Sequence, residues 1–154
     1  MKLILCVDDR LGYSFNHRRQ SSDLCMRQDM VRRLGDGFDD IFINAHTERS
    51  LLKDGCFGPR EAKRRLEHPA RSGRAFLEDA ADADGWAFVE NVEVKGLWHR
   101  VDEILLYIWD KRYPADYSFP KELLSSFVLT EETRFPGKSH DVIRLEHYVR
   151  KTTK

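Results

Sequence analysis

The sequence has few of the features that mark secreted, metal-binding and membrane proteins. Its 154 residues include only three cysteines, Cys6, Cys25 and Cys56, which form no Cys-x-x-Cys pair and cannot all be matched in disulfides. A disulfide framework and a zinc site of finger-like spacing are therefore not expected. The longest apolar run, residues 104–109, lies between two acids and is far shorter than the roughly 18 residues that span a bilayer.

An excess of charge is also absent. The 26 Lys and Arg residues balance 26 Asp and Glu residues, so no field of the whole protein attracts nucleic acid or an anionic membrane. The apolar stretch 3–7 is too short for a secretory leader and is followed at once by charged residues. These features predict a folded cytoplasmic protein with no membrane partner, and the length predicts one domain over residues 1–154.

Short apolar runs and helix-like patterns predict an α/β fold. Residues 3–7 are continuously apolar, so this strand is expected to be covered on both faces in the middle of a sheet. Residues 8–22 predict a loop, and Ser21 or Ser22 can cap a helix with Met26, Met30 and Leu34 in its apolar stripe. Further strands are predicted at 40–45, 75–77, 86–89, 102–109 and 127–133, a short helix at 47–52 with Thr47 near its cap, and a closing hairpin that turns at 135–138.

Two charged segments suggest phosphate chemistry, and each has a simpler interpretation. Asp8 and Asp9 end the first strand and could hold Mg²⁺, but acids there commonly cap loop amides and spacing places no third acid. We therefore predict no metal site. Residues 60–74 carry a basic patch that could bind RNA or a dinucleotide phosphate, although such a run is more often an exposed helix face. The patch consists of Arg60, Lys63, Arg64, Arg65, Arg71 and Arg74.

Two further groups of residues carry reactive or anion-binding chemistry. Arg18 and Arg19, followed by Gln20, could bind a phosphate or carboxylate in a forked geometry, or could form a solvated loop tip. Ser139 and His140, with Glu146, could be a nucleophile and its base. A hairpin turn would give that pair no oxyanion hole, so the hairpin alone does not predict a hydrolase.

The order of elements and three motifs resemble dihydrofolate reductase. Gly12 lies in the loop after the first strand, and Asp23 begins the next helix. The segment VDEILLYIWDKRYPADYSFP is similar to a family stretch that ends in Asp-x-x-Phe-Pro, and RFPGKSHDVIRLEHYVRK is similar to the final hairpin. The resemblance covers both ends of the chain. It implies a dihydrofolate reductase-like central mixed sheet, flanked by helices and ending in an antiparallel hairpin.

The same resemblance implies a ligand pocket. In that family a helix-borne acid contacts the pterin, so Asp23 becomes the candidate catalytic residue, as a proton donor or as a hydrogen-bond acceptor for an amidine-like ring edge. An acid at a helix start is equally well explained as a cap. The resemblance and the loop pattern together give the following candidate ligand-binding residues: Asp9, Asn16, Arg18, Arg19, Gln20, Thr47, Tyr107 and Trp109.

The glycine motifs that bind NADPH in that family are missing. Only the threonine of the Gly-Arg-x-Thr segment is kept in Asn44-Ala45-His46-Thr47, so a Cβ occupies the place that glycine leaves clear. The Gly-Gly pair is replaced near residues 88–91, where Glu90 is expected to repel phosphate. The sequence therefore leaves the cofactor unknown. NADPH stays a candidate, with a nicotinamide site that is lost or altered.

Three functions follow from these observations. The first is a small-molecule binder for a heterocyclic or nucleotide-like ligand, and whether it retains hydride transfer is left open. The second is an NADPH-dependent reductase of a pterin or related heterocycle. The third is an RNA-acting hydrolase, because DDRLGYSFNHRRQSSD, WDKRYPAD and FPGKSH are similar to short bacterial proteins that carry the name ribonuclease Z. The His-x-His zinc motif of true ribonuclease Z is absent, since no two of the six histidines lie two residues apart.

Overall fold

A five-stranded mixed sheet forms the centre of the protein, whose computed structural model describes residues 1–152. In spatial order its strands are β4 (Trp86–Val89), β1 (Lys2–Val7), β5 (Glu103–Trp109), β8 (Ile143–Arg150) and β7 (Phe127–Phe135). β1 runs parallel to both β4 and β5, whereas β8 is antiparallel to β5 and to β7. The predicted mixed sheet and closing antiparallel hairpin are therefore confirmed.

The central position of β1 follows from its composition. Side chains of a strand alternate between the two faces of a sheet, so a continuously apolar strand is stable only when both faces are covered. Leu3 and Leu5 pack into one hydrophobic cluster, which also contains Leu77, while Ile4 packs into a second cluster with Met30. All of these side chains are buried, as predicted for a strand in the middle of the sheet.

Within residues 1–152, four helices cover the sheet: α1 (Leu24–Leu34), α2 (Ala45–Lys53), α3 (Pro59–Glu67) and α4 (Ala75–Ala83). The predicted strand at 75–77 is wrong, because these residues begin α4, which buries Phe76, Leu77 and Ala80 at helical spacing. The predicted strand at 40–45 is reduced to one bridge between Phe42 and Ala87. It cannot extend further because Asn44 already caps the next helix.

Two of the predicted helix starts are refined by the structure. Asp23, whose alternative interpretation was a cap, caps α1 in place of Ser21 or Ser22, and Asn44 caps α2 with Thr47 close beside it, as predicted. Asn44 Oδ1 accepts a hydrogen bond from the Thr47 amide at 3.1 Å. A carboxylate or amide oxygen satisfies the free amides of a first turn as well as a hydroxyl does, so the sequence offered several equivalent caps.

The predicted loop 8–22 contains two short strands. β2 (Gly12–Phe15) and β3 (Arg18–Arg19) join β6 (Tyr117–Ser118) in a small second sheet with the order β3-β2-β6. Asn16 and His17 make the turn between β2 and β3 with positive φ angles. This sheet fixes residues 18–22 at the start of α1, which places them at the carboxyl end of β1.

Three short 3-10 helical segments complete the described chain, at Gly35–Asp40, Trp98–Arg100 and Lys121–Ser126. Over residues 1–152, no helix has both the length and the apolar character that crossing a membrane requires.

Candidate functional site

Asp23 joins the start of α1 to the turn of the closing hairpin. Its Oδ1 accepts from the backbone amides of Cys25 at 2.8 Å and Lys138 at 3.1 Å. Its Oδ2 accepts from the Ser139 amide at 2.8 Å and lies 3.2 Å from His140 Nδ1. The carboxylate therefore connects two segments more than 110 residues apart.

These donors keep Asp23 ionised. Burial alone would raise the pKa of the carboxyl, but hydrogen bonds from the Ser139 and Lys138 amides, His140 and the Ser139 hydroxyl hold that pKa well below its usual range. The side chain has no exposed surface. Its catalytic role stays a prediction, and the contacts favour an anchoring role, since a low-pKa carboxylate is a poor proton donor.

The hairpin turn leaves no room beside Asp23. A Cβ built on Gly137 would lie 2.6 Å from Asp23 Oδ2 and 2.7 Å from the His140 carbonyl oxygen. We expect Gly137→Ala to lower the free energy of unfolding by about 1–3 kcal/mol, because overpacking displaces the donors of Asp23. The matched control is Gly37→Ala, whose Cβ would meet nothing within 4 Å and which should be neutral or slightly stabilising. Urea denaturation of both variants checks this difference, and equal stabilities would contradict it.

Three of the predicted ligand-binding residues lie in the protein core. Thr47, Tyr107 and Trp109 are each at most 1% exposed. The Tyr107 hydroxyl donates to Asp29 Oδ2 at 2.6 Å, and burial together with this bond raises the pKa of Tyr107. Trp109 stacks on His140 with ring centroids 4.3 Å apart. None of these three side chains has the exposure that direct contact with a ligand in this conformation would need.

Asp8 and Asp9 have separate structural contacts. Asp8 is buried and accepts from the amides of Arg10, Gly12 and Tyr113, which holds the loop after β1 in place. Asp9 is exposed and pairs with Arg112 at 2.8 Å. Within residues 1–152, no group of three His, Cys, Asp or Glu side chains is placed to hold a metal ion.

A cavity next to the β2–β3 turn contains four of the predicted ligand-binding residues. We call it the loop cavity. It measures about 330 Å³ and is lined by Phe15, Asn16, Arg18, Arg19, Gln20, Tyr113 and Pro114. Arg18 is exposed, and the Asn16 amide donates to Asp116 Oδ2 at 3.0 Å. These four residues therefore share one cavity, and their role in binding a ligand stays a prediction.

A second, more polar cavity lies between the start of α1 and α2, and we call it the polar cleft. It measures about 400 Å³ and is lined by Arg19, Ser22, His46, Arg49, Ser50, Lys53 and Asp54. Three of these side chains are cationic and one is anionic. Apart from Arg19, the sequence prediction missed this lining. His46, Arg49, Ser50 and Lys53 lie at i, i+3, i+4 and i+7 on one face of α2, but His46 and Lys53 fall outside the predicted helix 47–52, so that prediction could not bring the four together.

A buried ion pair lies directly behind the polar cleft. Arg27 is 1% exposed, and its Nη2 donates to Glu90 Oε2 at 3.2 Å and to Ser50 Oγ at 3.1 Å. Its Nε lies 3.0 Å from Asp54 Oδ2. Arg19 Nε donates to the same Glu90 oxygen at 3.0 Å. Ser50, Asp54 and Arg19 line the cleft, so this network reaches its surface.

Several buried polar atoms in this network and in the first turn of α2 have no hydrogen-bond partner. Among the described residues, Arg27 Nη1, Glu90 Oε1, His46 Nε2 and Thr47 Oγ1 are buried and make no hydrogen bond. Burial and the nearby Arg19 charge lower the pKa of His46, so its ring is neutral near pH 7. Buried polar groups are normally satisfied, and such a cluster is a common property of sites that bind a ligand or ordered water.

The residues at the start of α2 do not fit a dinucleotide phosphate. The Asn44 side-chain amide donates to Gly73 O at 3.1 Å and to Asn91 Oδ1 at 2.9 Å. The Ala45 amide donates to Arg71 O at 2.9 Å. Helix N-termini bind phosphate through free amides, and here protein acceptors already occupy the amides of Ala45 and Thr47. The expectation that Glu90 repels phosphate needs correction, since two arginines neutralise it.

The predicted basic patch is smaller than the sequence indicates. Arg65 is 6% exposed, pairs with Glu48 at 2.9 Å and lies over the Phe57 ring. Arg64 pairs with Glu61, and Lys63 lies 4.0 Å from Glu67. Arg65 is therefore part of the packing between α3 and α2 rather than of an RNA-facing surface.

Comparison with known proteins identifies the fold but not a family. No protein-family model and no curated protein match the chain. A solved structure of dihydrofolate reductase from Enterococcus faecalis, complexed with NADP(H) and RAB-propyl, is similar over 98% of this chain and 96% of its own. The TM-score is 0.57 and the sequence identity is 13%. The chain therefore has a dihydrofolate reductase-like fold, as its motifs predicted.

Proposed function

We propose that the polar cleft binds a small anionic heterocycle or nucleotide-like molecule, and that the protein does so without hydride transfer from a nicotinamide. The observation that carries this proposal is the cluster of buried, unpartnered polar atoms behind a cleft with cationic walls. The cleft is open to solvent, and its few polar groups can fix the orientation of a small ligand.

The lining of the cleft and the buried pair behind it suit different parts of such a ligand. Glu90 Oε1 and Arg27 Nη1 are the free acceptor and the free donor of that pair, and they match the edge of a heterocycle once the side chains that line the cleft move aside, since neither atom is exposed in this conformation. Arg49 and Lys53 are exposed on α2 and can reach a carboxylate or phosphate on the same molecule. This arrangement supports a planar ring with an anionic substituent.

The absence of hydride transfer is inferred from the start of α2. The side-chain bonds of Asn44 to Gly73 and Asn91 join three segments there, and they would have to break before a pyrophosphate could approach. The alternative function, an NADPH-dependent reductase, is supported by the similarity to a structure complexed with NADP(H). The two alternatives differ in one measurement, because only the reductase predicts that NADPH stabilises the protein.

Thermal unfolding with a panel of folate, pterin-6-carboxylate, purine and pyrimidine monophosphates and NADPH tests the proposal. At 100 times its dissociation constant a ligand adds about 2.7 kcal/mol to the free energy of unfolding. We expect one of the anionic heterocycles to raise Tm and NADPH to have no effect. A shift with NADPH alone would overturn the proposal in favour of the reductase, and no shift with any compound would overturn both.

The anion-binding part of the cleft makes a separate prediction. The double variant Arg49→Gln/Lys53→Gln should weaken binding of the stabilising ligand by about 10-fold or more, since the loss of even one charge-assisted hydrogen bond costs about 1.5–3 kcal/mol. The control is Lys63→Gln, an exposed lysine of α3 outside the cleft. Isothermal titration of the three proteins measures the effect. Equal affinities would place the ligand outside the polar cleft.

A further inference from the structure

His140 lies between a buried carboxylate and a hydroxyl that reaches solvent. Its Nδ1 is 3.2 Å from Asp23 Oδ2, and its Nε2 is 3.1 Å from Ser21 Oγ. The imidazole is stacked on Trp109 at an interplanar angle of 17°. The Asp23 carboxylate is held by two backbone amides of the hairpin turn and by the Ser139 hydroxyl. Packing and hydrogen bonds therefore fix the orientation of the ring.

The contacts also determine which ring nitrogen carries the proton. An ionised carboxylate can only accept, so the Nδ1 proton of His140 donates to Asp23. Nε2 is then unprotonated, and its lone pair faces Ser21 Oγ. An acid, an imidazole and a serine with these roles form the arrangement that activates a serine as a nucleophile, and it is recognised by geometry rather than by order in the chain.

Ser21 is accessible, whereas the two groups behind it are not. His140 and Asp23 are 4% and 2% exposed, while Ser21 is half-buried. The preceding residue, Gln20, lines the loop cavity, as does Tyr113, whose hydroxyl lies 3.5 Å from Ser21 Oγ. Ser21 therefore lies beside the loop cavity, next to two of the residues that line it.

We propose that Ser21, His140 and Asp23 hydrolyse small carboxylic esters. Ser21 Oγ bonds to the carbonyl carbon while its proton passes to His140 Nε2. The C–O bond to the alcohol then breaks, and the alcohol leaves with that proton. Water, deprotonated by the same nitrogen, attacks the acyl-serine, releases the carboxylic acid and restores Ser21. Asp23 does not touch the ester and acts as a positioning residue.

Tyr113 supplies a donor for the oxyanion. Its hydroxyl oxygen and that of Ser21 each lie 3.1 Å from His140 Nε2. The single lone pair of Nε2 can accept a hydrogen bond from only one of the two hydroxyl groups at a time. When Ser21 donates to the imidazole, the Tyr113 proton is left to donate elsewhere. An oxygen on the carbon bonded to Ser21 Oγ lies within its reach, because the two hydroxyl oxygens are 3.5 Å apart. A preorganised donor of this kind stabilises the tetrahedral intermediate.

The loop cavity suggests the class of ester. Arg18 is exposed at its edge, and Phe15 gives it an apolar wall that is 40% exposed. A small ester with a negatively charged substituent would place its charge near Arg18 and its carbonyl at Ser21. Of the residues that line the loop cavity, only Arg19 also lines the polar cleft, and Ser21, His140 and Asp23 do not, so either assignment can fail without the other.

Labelling with an alkyl fluorophosphonate tests the nucleophile. The wild-type protein should gain one phosphonyl group with loss of fluoride, located at Ser21 by peptide mass spectrometry. Ser21→Ala should lower the labelling rate by at least about 100-fold, the contribution expected of a base-activated hydroxyl. The exposed Ser126→Ala variant is the control and should label like the wild type. No labelling of the folded wild type, or labelling that persists in Ser21→Ala, would overturn the proposal.

Two further variants test the roles of the neighbouring groups. Tyr113→Phe keeps the ring but removes the oxyanion donor, and it should lower kcat for p-nitrophenyl acetate by at least about 10-fold with little change in KM. Arg18→Gln should remove a preference for mono-p-nitrophenyl succinate over the acetate, a KM effect. Unchanged kcat in Tyr113→Phe would exclude that donor, and equal use of both esters by the wild type would exclude an anionic substrate.

Discussion

Replacing Asp23 with alanine is expected to lower the free energy of unfolding by about 3–5 kcal/mol at pH 7. The helix cap contributes about 1 kcal/mol, and each amide left unsatisfied at Lys138 and Ser139 costs about 1–3 kcal/mol. The side chain is fully buried, so solvent does not replace the lost acceptor. Urea denaturation monitored by tryptophan fluorescence measures this loss.

Asp36→Ala is the matched control for this substitution. Asp36 is an exposed acid in the 3-10 segment after α1, and its replacement should change stability by less than about 0.5 kcal/mol. If the two variants were equally stable, the carboxylate of Asp23 would not anchor the hairpin. A variant that stays folded but no longer reacts with fluorophosphonate would separate positioning of His140 from stability.

The acid dependence of stability supplies an independent check on Asp23. Its pKa in the folded protein lies below the usual value near 3.8, so at low pH the unfolded chain binds more protons than the folded one. The stability that Asp23 contributes is therefore complete above about pH 5 and is lost as the pH falls below about 4. The stability difference between the wild type and Asp23→Asn should shrink over that range. A constant difference down to pH 2 would contradict a depressed pKa.

The parts of the fold that were predictable depend on local patterns. The continuous apolar run at β1 requires cover on both faces, and alternation in the closing hairpin fixes its register. The strand at 75–77 was predicted wrongly because three consecutive apolar residues, Ala75 to Leu77, fit a buried strand as well as a helix. Only the apolar Ala80 and Ala81, one turn later, show the helical period of 3.6 residues. Short apolar runs are ambiguous for this physical reason.

The site was less predictable because its contacts join distant segments. Arg27 follows Met26 on α1, where an arginine is normally solvated, and its burial depends on Glu90, 63 residues later. Ser21 and His140 are 119 residues apart, so no spacing in the sequence relates them. The sequence identified His140 as a candidate base but paired it with Ser139, its neighbour in the chain.

The Arg27–Glu90 pair gives the second large expected effect. Removing one member leaves the other as a buried charge with an incomplete set of partners, which typically costs about 3–5 kcal/mol. We expect Arg27→Met and Glu90→Met each to approach the lower end of this range. Glu90 keeps Arg19 as a partner in the first variant, and Arg27 keeps Asp54 in the second. Denaturant unfolding of each variant gives the two single costs.

The double variant Arg27→Met/Glu90→Met should be less destabilised than the sum of the single variants by about 2 kcal/mol or more, because two apolar side chains can replace a buried ion pair at little cost. The same double-mutant cycle on Arg100 and Asp82, an exposed pair at 3.1 Å, should give a coupling free energy below about 1 kcal/mol. Since the double variant is expected to fold, it also separates structure from function. If Arg27 Nη1 and Glu90 Oε1 of the wild type recognise a ligand, the double variant should remain folded but lose the Tm shift with that ligand. A Tm shift that persists in the double variant would exclude this pair from the site.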